Sequence, residues 1–137
     1  MYTTISFKAG TTNFKIELRK RITLIQGGIG KSMFFKSLQI VDTDYPLLTI
    51  DGKQAKKGDT LKHLKSITNT MVVIDNGDLL LNKAIVQHIN KDLKNQYIVI
   101  CKQDYGFAVS PNAIADMTFS SDTSTFWLRY RFDVRGW

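Results

Sequence analysis

The chain has 137 residues, of which 43% are hydrophobic and 23% charged, a composition that excludes a disordered chain and predicts one compact domain over residues 1–137. Nineteen Lys and Arg residues against twelve Asp and Glu residues give a net charge of +7, which suits phosphate-bearing or acidic partners. No apolar run approaches the roughly 20 residues that cross a bilayer, and the start MYTTISFKAG lacks the pattern of a signal peptide, so we expect a cytoplasmic protein without a membrane partner.

Two segments with alternating apolar residues open the chain. TTISFKA and NFKIEL have the period of half-buried strands, and Gly10 between them permits a tight turn, which predicts an N-terminal β-hairpin. Residues 22–25 form a short apolar strand that ends in glycines. Phe34, Leu38 and Val41 then follow at the spacing of one helix face. The predicted order is therefore strand, glycine loop, helix.

The remainder of the chain alternates apolar runs with helical patterns. Apolar runs predict strands at residues 46–50, 71–74, 97–101, 117–120 and 126–132. A short helix is predicted at residues 61–66, and a second helix follows Asn82, which can cap it and whose Ile85, Ile89 and Leu93 share one face. Continuous apolar strands between helices favour a mostly parallel sheet flanked by helices. The predicted class is α/β, with the N-terminal hairpin and an antiparallel C-terminal strand added to that sheet.

The segment ITLIQGGIGKS combines the features of a phosphate-binding loop. Glycines let backbone N–H groups approach an anion, and the helix behind them adds its N-terminus. The predicted phosphate contacts are consecutive positions, namely Gly27, Gly28, Ile29, Gly30, Lys31 and Ser32. Lys31 would reach the outer phosphates, and the Ser32 hydroxyl would bind a Mg²⁺ ion that bridges them.

This loop resembles that of the P-loop NTPases. QGGIGKS is similar to the stretch KGGVGKT of proteins of the ParA and MinD kind, with Gln26 in place of their signature lysine. In the general pattern G-x-x-x-x-G-K-[ST], the first glycine falls on Ile25. Further on, MVVID resembles a Walker B strand, whose acid, here Asp75, would hold Mg²⁺ opposite Ser32. The alternative is a plain glycine-rich turn and a buried strand that happens to end in Asp.

The resemblance also implies a strand order. In the branch that includes the AAA, RecA-like and ABC ATPases, one strand is inserted between the P-loop strand and the Walker B strand and ends in a polar sensor. YIVIC followed by Lys102 and Gln103 resembles that strand, with Gln103 or Lys102 as the sensor. The implied order of the parallel strands is residues 117–119, 22–25, 97–101, 71–74 and 46–50. Right-handed crossovers would then place helices on both faces.

Catalytic residues are the point at which the chain departs from this branch. AAA and ABC ATPases usually carry a glutamate directly after the Walker B aspartate, and that position is Asn76 here. The one glutamate of the chain, Glu17, belongs to the predicted hairpin. Loss of a water-activating group slows turnover by about 10²–10⁴-fold, so the resemblance implies a protein that binds Mg–ATP with weak or partner-dependent hydrolysis. Asp75, Asp78 and Gln103 are the catalytic candidates.

Two other interpretations stay open. A degenerate module would bind nucleic acid or a protein partner through its basic surface without nucleotide, and a regulatory subunit would use nucleotide only to order itself against a partner or a second copy. The tail FWLRYRFDVRGW interleaves aromatic residues with Arg129, Arg131 and Arg135, which fits nucleic-acid contact and equally an edge strand. No [NT]-K-x-D guanine motif is present, which favours adenine.

Overall fold

The computed structural model describes residues 4–132, which form one eight-stranded mixed sheet with packed helices. The strands are β1 Thr4–Ala9, β2 Thr12–Glu17, β3 Ile22–Gly28, β4 Leu47–Asp51, β5 Met71–Asp75, β6 Gln96–Ile100, β7 Ile114–Ser120 and β8 Thr125–Tyr130. The helices are α1 Lys31–Leu38, α2 Lys57–Ser66, α3 Gly77–Leu80 and α4 Lys83–Lys91, with a 3₁₀ turn at Pro111–Ala113.

The strand order is β1-β2-β8-β7-β3-β6-β5-β4. The last five strands of this series run parallel, and β6 lies between β3 and β5. β1 and β2 form an antiparallel hairpin, and β8 runs antiparallel to β7 and parallel to β2. The predicted α/β class, the order of the parallel strands, the N-terminal hairpin and the antiparallel C-terminal strand are therefore confirmed.

Hydrophobic clusters cover opposite faces of the sheet. Helix α1 packs Phe34, Phe35 and Leu38 into one cluster, together with the hairpin and β8. Helices α2 and α4 pack Leu64 and Ile85 into the other. Successive residues of β5 alternate between the two clusters, so this strand is buried on both faces. Burial on both faces explains why the parallel strands have continuous apolar sequences rather than alternating ones.

Strand β3 is longer than its apolar pattern predicted. It includes Gln26, Gly27 and Gly28, although the pattern ended at Ile25. The register shifts between Ile25 and Gly27, after which Gly28 pairs with Met117 of β7. The prediction was wrong here because a glycine-rich segment carries no strand signal of its own, and its pairing depends on a strand far away in the sequence.

Helix α4 begins as predicted and ends earlier. The side-chain oxygen of Asn82 accepts a hydrogen bond from the Ile85 N–H at 2.9 Å, which confirms the predicted cap. Leu93 was expected on the buried face, but it lies beyond the helix and is 81% exposed. Asp92 accounts for the early ending, because its buried carboxylate accepts a hydrogen bond from the Tyr97 hydroxyl at 2.5 Å and its backbone is extended.

Candidate functional site

The candidate site lies at the carboxyl edge of the parallel strands. There, β3 leads into the glycine loop and α1, β4 ends at Asp51, and β5 ends at Asp75. Neighbouring parallel strands bring such ends together even when they are distant in sequence, and ligands of open α/β sheets bind at this edge.

The glycine loop is packed against β7 and β8. The Ile29 N–H donates to the Met117 carbonyl at 3.0 Å. A Cβ atom on Gly28 would lie 1.9 Å from that carbonyl oxygen, and one on Gly30 would lie 2.3 Å from the Phe126 ring. The φ angles of these glycines are +95° and +82°. Packing alone therefore requires both glycines, and the Ile29 N–H, predicted to contact phosphate, is already engaged.

The remaining candidate for anion binding in this loop is the N-terminus of α1. Gly30 caps the helix in a left-handed conformation without a side-chain hydrogen bond. The Phe34 N–H makes the first turn's bond to the Gly30 carbonyl, and the N–H groups ahead of it have no intrahelical acceptor. The Lys31 ammonium donates to the Gly28 carbonyl at 3.1 Å, and Ser32 is exposed. An anion placed here would meet Lys31 and the positive end of the helix dipole.

Two aspartates are neighbours at the ends of β4 and β5. Asp51 and Asp75 are register partners. The Asn76 N–H donates to Asp75 Oδ1 at 2.8 Å, and Asn76 Nδ2 donates to Asp51 Oδ1 at 2.9 Å. The Lys53 N–H also donates to Asp51 Oδ1, at 3.0 Å. A Cβ atom on Gly52 would lie 2.1 Å from the Asn76 carbonyl oxygen, so the two strand ends form one tightly packed unit.

The two carboxyl groups have pKa values shifted in opposite directions. Burial raises the pKa of Asp75, and the charge of Asp51 raises it further. The hydrogen bond from the Asn76 N–H and the ammonium groups of Lys53 and Lys31 lower it, but by less. The pKa of Asp51 is lowered, mainly by the hydrogen bond from the Lys53 N–H, and further by the Asn76 amide, against the effect of burial. The loop thus has only a minor effect on Asp75, whose pKa is set mainly by burial and by its neighbours at the ends of β4 and β5.

Asp78 and Gln103 have other surroundings. The Asp78 carboxylate accepts hydrogen bonds from the Lys102 N–H at 3.0 and 3.1 Å and from the Tyr105 hydroxyl. These contacts make Asp78 a support for the loop after β6. Gln103 lies in that loop and is exposed. Within residues 4–132, neither side chain is hydrogen-bonded to Asp75.

An ion pair borders the glycine loop on the β7 side. Arg131 pairs with Asp116 at 2.9 Å and donates to Gln26 Oε1 at 2.9 Å. A Cβ atom on Gly27 would lie 2.6 Å from Asp116 Oδ1, so a larger residue there would have to displace the Asp116 carboxylate. Arg131 was predicted from the tail sequence as a candidate for nucleic-acid contact, but its guanidinium is bound to Asp116 and Gln26 within the domain. Arg135 lies outside the described residues.

Ser32 and Asp75 are the oxygen donors predicted for Mg²⁺. Mg²⁺ is usually held by one or two carboxylates, with waters and substrate phosphates completing its shell, and this donor set fits that habit. The Asn76 N–H binds only Oδ1 of Asp75, which leaves Oδ2 for a cation. Among the described residues, no group of three or more His, Cys, Asp or Glu could hold a metal by itself. Metal binding here would therefore depend on phosphate oxygens.

Sequence reasoning missed Asp51 although a signal was present. β4 reads LLTID and β5 reads MVVID, so both strands are apolar runs that end in Ile-Asp. Comparing the two segments would have identified the second carboxylate. Its contact with Asn76 could not have been found in this way, because it depends on the register between the strands.

Within the described part of the chain, no helix is long and apolar enough to cross a membrane. Comparison with known protein families, with curated proteins and with solved structures finds no match to this chain.

Proposed function

We propose that this protein binds a nucleoside triphosphate, ATP in preference to GTP, with Mg²⁺ at the carboxyl edge of its sheet, and hydrolyses it slowly or with the help of a partner. The observation that carries this proposal is that Lys31 begins α1 and Asp75 ends β5 at the carboxyl edge of the same sheet, with α1 packed in the hydrophobic cluster that includes Met71 and Val73 of β5. The inserted position of β6 between β3 and β5 is the arrangement that the resemblance to P-loop ATPases implies.

Phosphate binding would use the N-terminus of α1 and Lys31. The N–H groups of the first helical turn point toward a bound anion, and the helix dipole favours negative charge there. The Lys31 ammonium donates to a neutral carbonyl, that of Gly28. Moving it to a phosphate oxygen would replace this bond with a charge-assisted one, which is roughly twice as strong.

Mg²⁺ would supply charge neutralisation between the phosphates, with Ser32 and Asp75 as its protein ligands. Burial raises the pKa of Asp75, so its ionised form is held unfavourably when no cation is near. A bound cation would reverse this effect. A cation bound to Asp75 would therefore offset the cost of burying its charge.

The loop predicts weak rather than tight binding. Ile25 occupies the position of the first glycine of the P-loop pattern and is fully buried. The Ile29 N–H is already bonded to Met117, which reduces the number of N–H groups for phosphate. Gln26, in the place of a signature lysine, brings no charge. Lys31 and the metal must then contribute most of the affinity.

Calorimetric titration with ATP and with GTP, each with and without Mg²⁺, tests the proposal. Lys31→Ala should weaken Mg–ATP binding by about 1.5–3 kcal/mol, or roughly 10–150-fold, because hydrogen bonds to charged groups are lost. Lys36→Ala is the matched control. It removes the same charge from the same helix, and Lys36 lies exposed in the last turn. Equal affinity of the two variants, or no binding by the unmodified protein, would refute the proposal.

The alternative of nucleic-acid contact has one supporting observation. A groove of about 520 Å³ on β2 and β8 is lined by Lys15, Trp127 and Arg129 among others, and single strands bind where cations combine with stacking aromatic rings. Glu17 also lines the groove and reduces its positive charge. Fluorescence anisotropy with a labelled single-stranded oligonucleotide, compared between the unmodified protein and Trp127→Ala, tests this alternative.

A further inference from the structure

A row of phenylalanine rings crosses the sheet from the hairpin to β7. The strand registers place Phe7 opposite Phe14, Phe14 opposite Phe126, and Phe126 opposite Phe119. Successive rings are in contact, with centroids 4.8, 5.2 and 4.7 Å apart. The row lies on the face that α1 covers, because Phe14 and Phe126 belong to the same hydrophobic cluster as Phe34. Phe119 is therefore the last ring of the row on the side of the glycine loop.

Burial along the row decreases toward β7. Phe14 is fully buried and Phe126 is 8% exposed, whereas Phe119 is 37% exposed. The Phe119 ring packs against the Phe126 ring at an angle of 47°, so it is supported on its inner side. An aromatic ring that is supported by the protein and also exposed to solvent can stack on a flat ligand ring.

This exposed ring lies beside the glycine loop. Gly28 pairs with Met117, which precedes Phe119 by two residues and lies on the same face of β7. A Cβ atom on Gly30 would lie 2.3 Å from the Phe126 ring, which is the ring that also supports Phe119. Phe126 thus contacts both the residue that caps α1 and Phe119. Only this one ring separates Phe119 from the start of the helix.

Two more exposed apolar side chains lie on the glycine loop and the first turn of α1. Ile29 is 63% exposed and Met33 is 49% exposed, and they precede and follow Lys31 in the sequence. The Ile29 N–H bonds with the Met117 carbonyl, which holds this residue against the end of β7. Apolar groups gathered in this way indicate a binding surface, and they border the residues proposed to bind phosphate.

The sheet order decides which part of a nucleotide could reach Phe119. β7 and β5 lie on opposite sides of β3, and neighbouring strands are about 4.8 Å apart. Terminal phosphates bound to a metal on Asp75 would lie on the β5 side of the start of α1. The nucleoside is at the other end of the triphosphate, so it would extend toward β7. The aromatic ring that it would meet there is Phe119.

We propose that Phe119 is the stacking platform for the base of the bound nucleotide, an assignment that rests on the proposed function. The ligand group is a planar nucleobase. Stacking tolerates every base, because each base has a π-face, so Phe119 would add affinity without selecting adenine. This contact lies at the opposite end of the ligand from the terminal phosphates. It supplements a loop in which the Ile29 N–H is already engaged.

Calorimetric titration with Mg–ATP and with Mg–tripolyphosphate, which lacks the nucleoside, tests this assignment. Phe119→Ala should weaken ATP binding by roughly 5–150-fold and leave the affinity for tripolyphosphate unchanged. Phe132→Ala is the matched control. Phe132 is an exposed phenylalanine beyond the end of β8, and Phe126 lies near the start of that strand, so both affinities should stay as they are in the unmodified protein.

Phe119→Trp keeps an aromatic ring and provides a second test, which also decides the matter if Phe119→Ala does not fold. Its affinity for ATP should equal or exceed that of the unmodified protein. Its additional tryptophan emission should be quenched by ATP and not by tripolyphosphate, because stacking requires the base. The unmodified protein is the reference, since Trp127 alternates with Phe126 along β8 and faces the other side of the sheet.

The outcomes separate this assignment from the proposed function. An unchanged ATP affinity in Phe119→Ala would overturn the stacking role. An equal loss of affinity for ATP and tripolyphosphate would also overturn it, because the ring would then support the loop rather than the base. The same holds if saturating ATP leaves the emission of Phe119→Trp unchanged. Failure of the unmodified protein to bind either ligand would instead refute the proposed function, and the role of Phe119 with it.

Discussion

Replacing Gly28 with Ala would place a methyl group in the tightest space of the glycine loop. The new Cβ would lie 1.9 Å from the Met117 carbonyl oxygen and 2.6 Å from the Met117 nitrogen. Both atoms belong to the backbone of β7, so neither can rotate away as a side chain would. The loop must therefore move away from β7, and the hydrogen bond from the Ile29 N–H to Met117 must break.

Two contributions set the expected size of this effect. The φ of Gly28 is +95°, and a left-handed backbone costs an alanine about 1–2 kcal/mol. Losing the hydrogen bond between Ile29 and Met117 costs about 0.5–1.5 kcal/mol. The free energy of unfolding should therefore fall by about 1.5–3.5 kcal/mol, and by more if strain persists at the contact.

Urea denaturation followed by far-ultraviolet circular dichroism measures this change, and two other glycines serve as controls. Gly10 has a φ of +62° with open space around it, so Gly10→Ala should lose only the backbone term of about 1–2 kcal/mol. Gly58 lies in α2 with open space and no positive φ, so Gly58→Ala should gain about 0.5–1 kcal/mol.

A Gly28→Ala protein as stable as Gly10→Ala would refute the packing argument. The close contact with β7 would then not be what excludes a side chain at residue 28. If Gly28→Ala is destabilised as expected, packing explains the glycine at residue 28, and the proposed phosphate binding depends on Lys31, the helix N-terminus and Asp75.

Three further predictions follow from the contacts of single residues. Asp75→Asn should raise the free energy of unfolding at pH 7, because burial raises the pKa of Asp75 and the folded protein holds the ionised form less favourably than the unfolded chain does. The gain should disappear below the unfolded pKa of about 3.9, where the carboxyl group is neutral in the folded and the unfolded protein. Urea denaturation of the unmodified protein and of Asp75→Asn at pH 7 and pH 3 measures this difference. Equal stability of the two proteins at pH 7 would contradict the reasoning. Burial and the charges of Asp78 and Asp104 raise the pKa of Cys101 to about 12, so a thiol reagent at pH 8 should react only as unfolding exposes the sulfur, at a rate that increases with urea; immediate stoichiometric labelling would disprove burial. Asn82→Ala should lower the free energy of unfolding by about 1 kcal/mol through loss of the α4 cap, whereas Asn82→Asp, which keeps an acceptor oxygen, should lose much less.

Local patterns were sufficient for most of the elements. The hairpin, the buried parallel strands and the Asn82 cap depend on alternation, continuous apolar runs and a capping side chain, all of which are present within single segments. The order of the parallel strands came from the resemblance of the glycine loop and the MVVID strand to known ATPases, because periodicity carries no information on which strand lies beside which. That order agrees with the pairing in the sheet.

Features that depend on a partner segment could not be predicted. β3 continues to Gly28 because β7 pairs with it. Helix α4 ends before Leu93, although the apolar pattern continued to that residue, because the buried Asp92 accepts a hydrogen bond from Tyr97. The role of the loop glycines also changes, since their Cβ positions are occupied by atoms of β7 and β8. In each case, a contact between distant segments outweighs a weak local preference.

The sequence by itself determined the chemistry that is available, namely one lysine and one serine at a helix start and carboxylates after apolar strands. Tertiary structure decided which of these groups meet. Parallel register places Asp51 against Asp75, the Asn76 amide donates to the Asp51 carboxylate, and Asp78 is bound to the loop after β6. The physical reason is that hydrogen bonds and charge effects act over a few ångströms in space, whatever the separation along the chain.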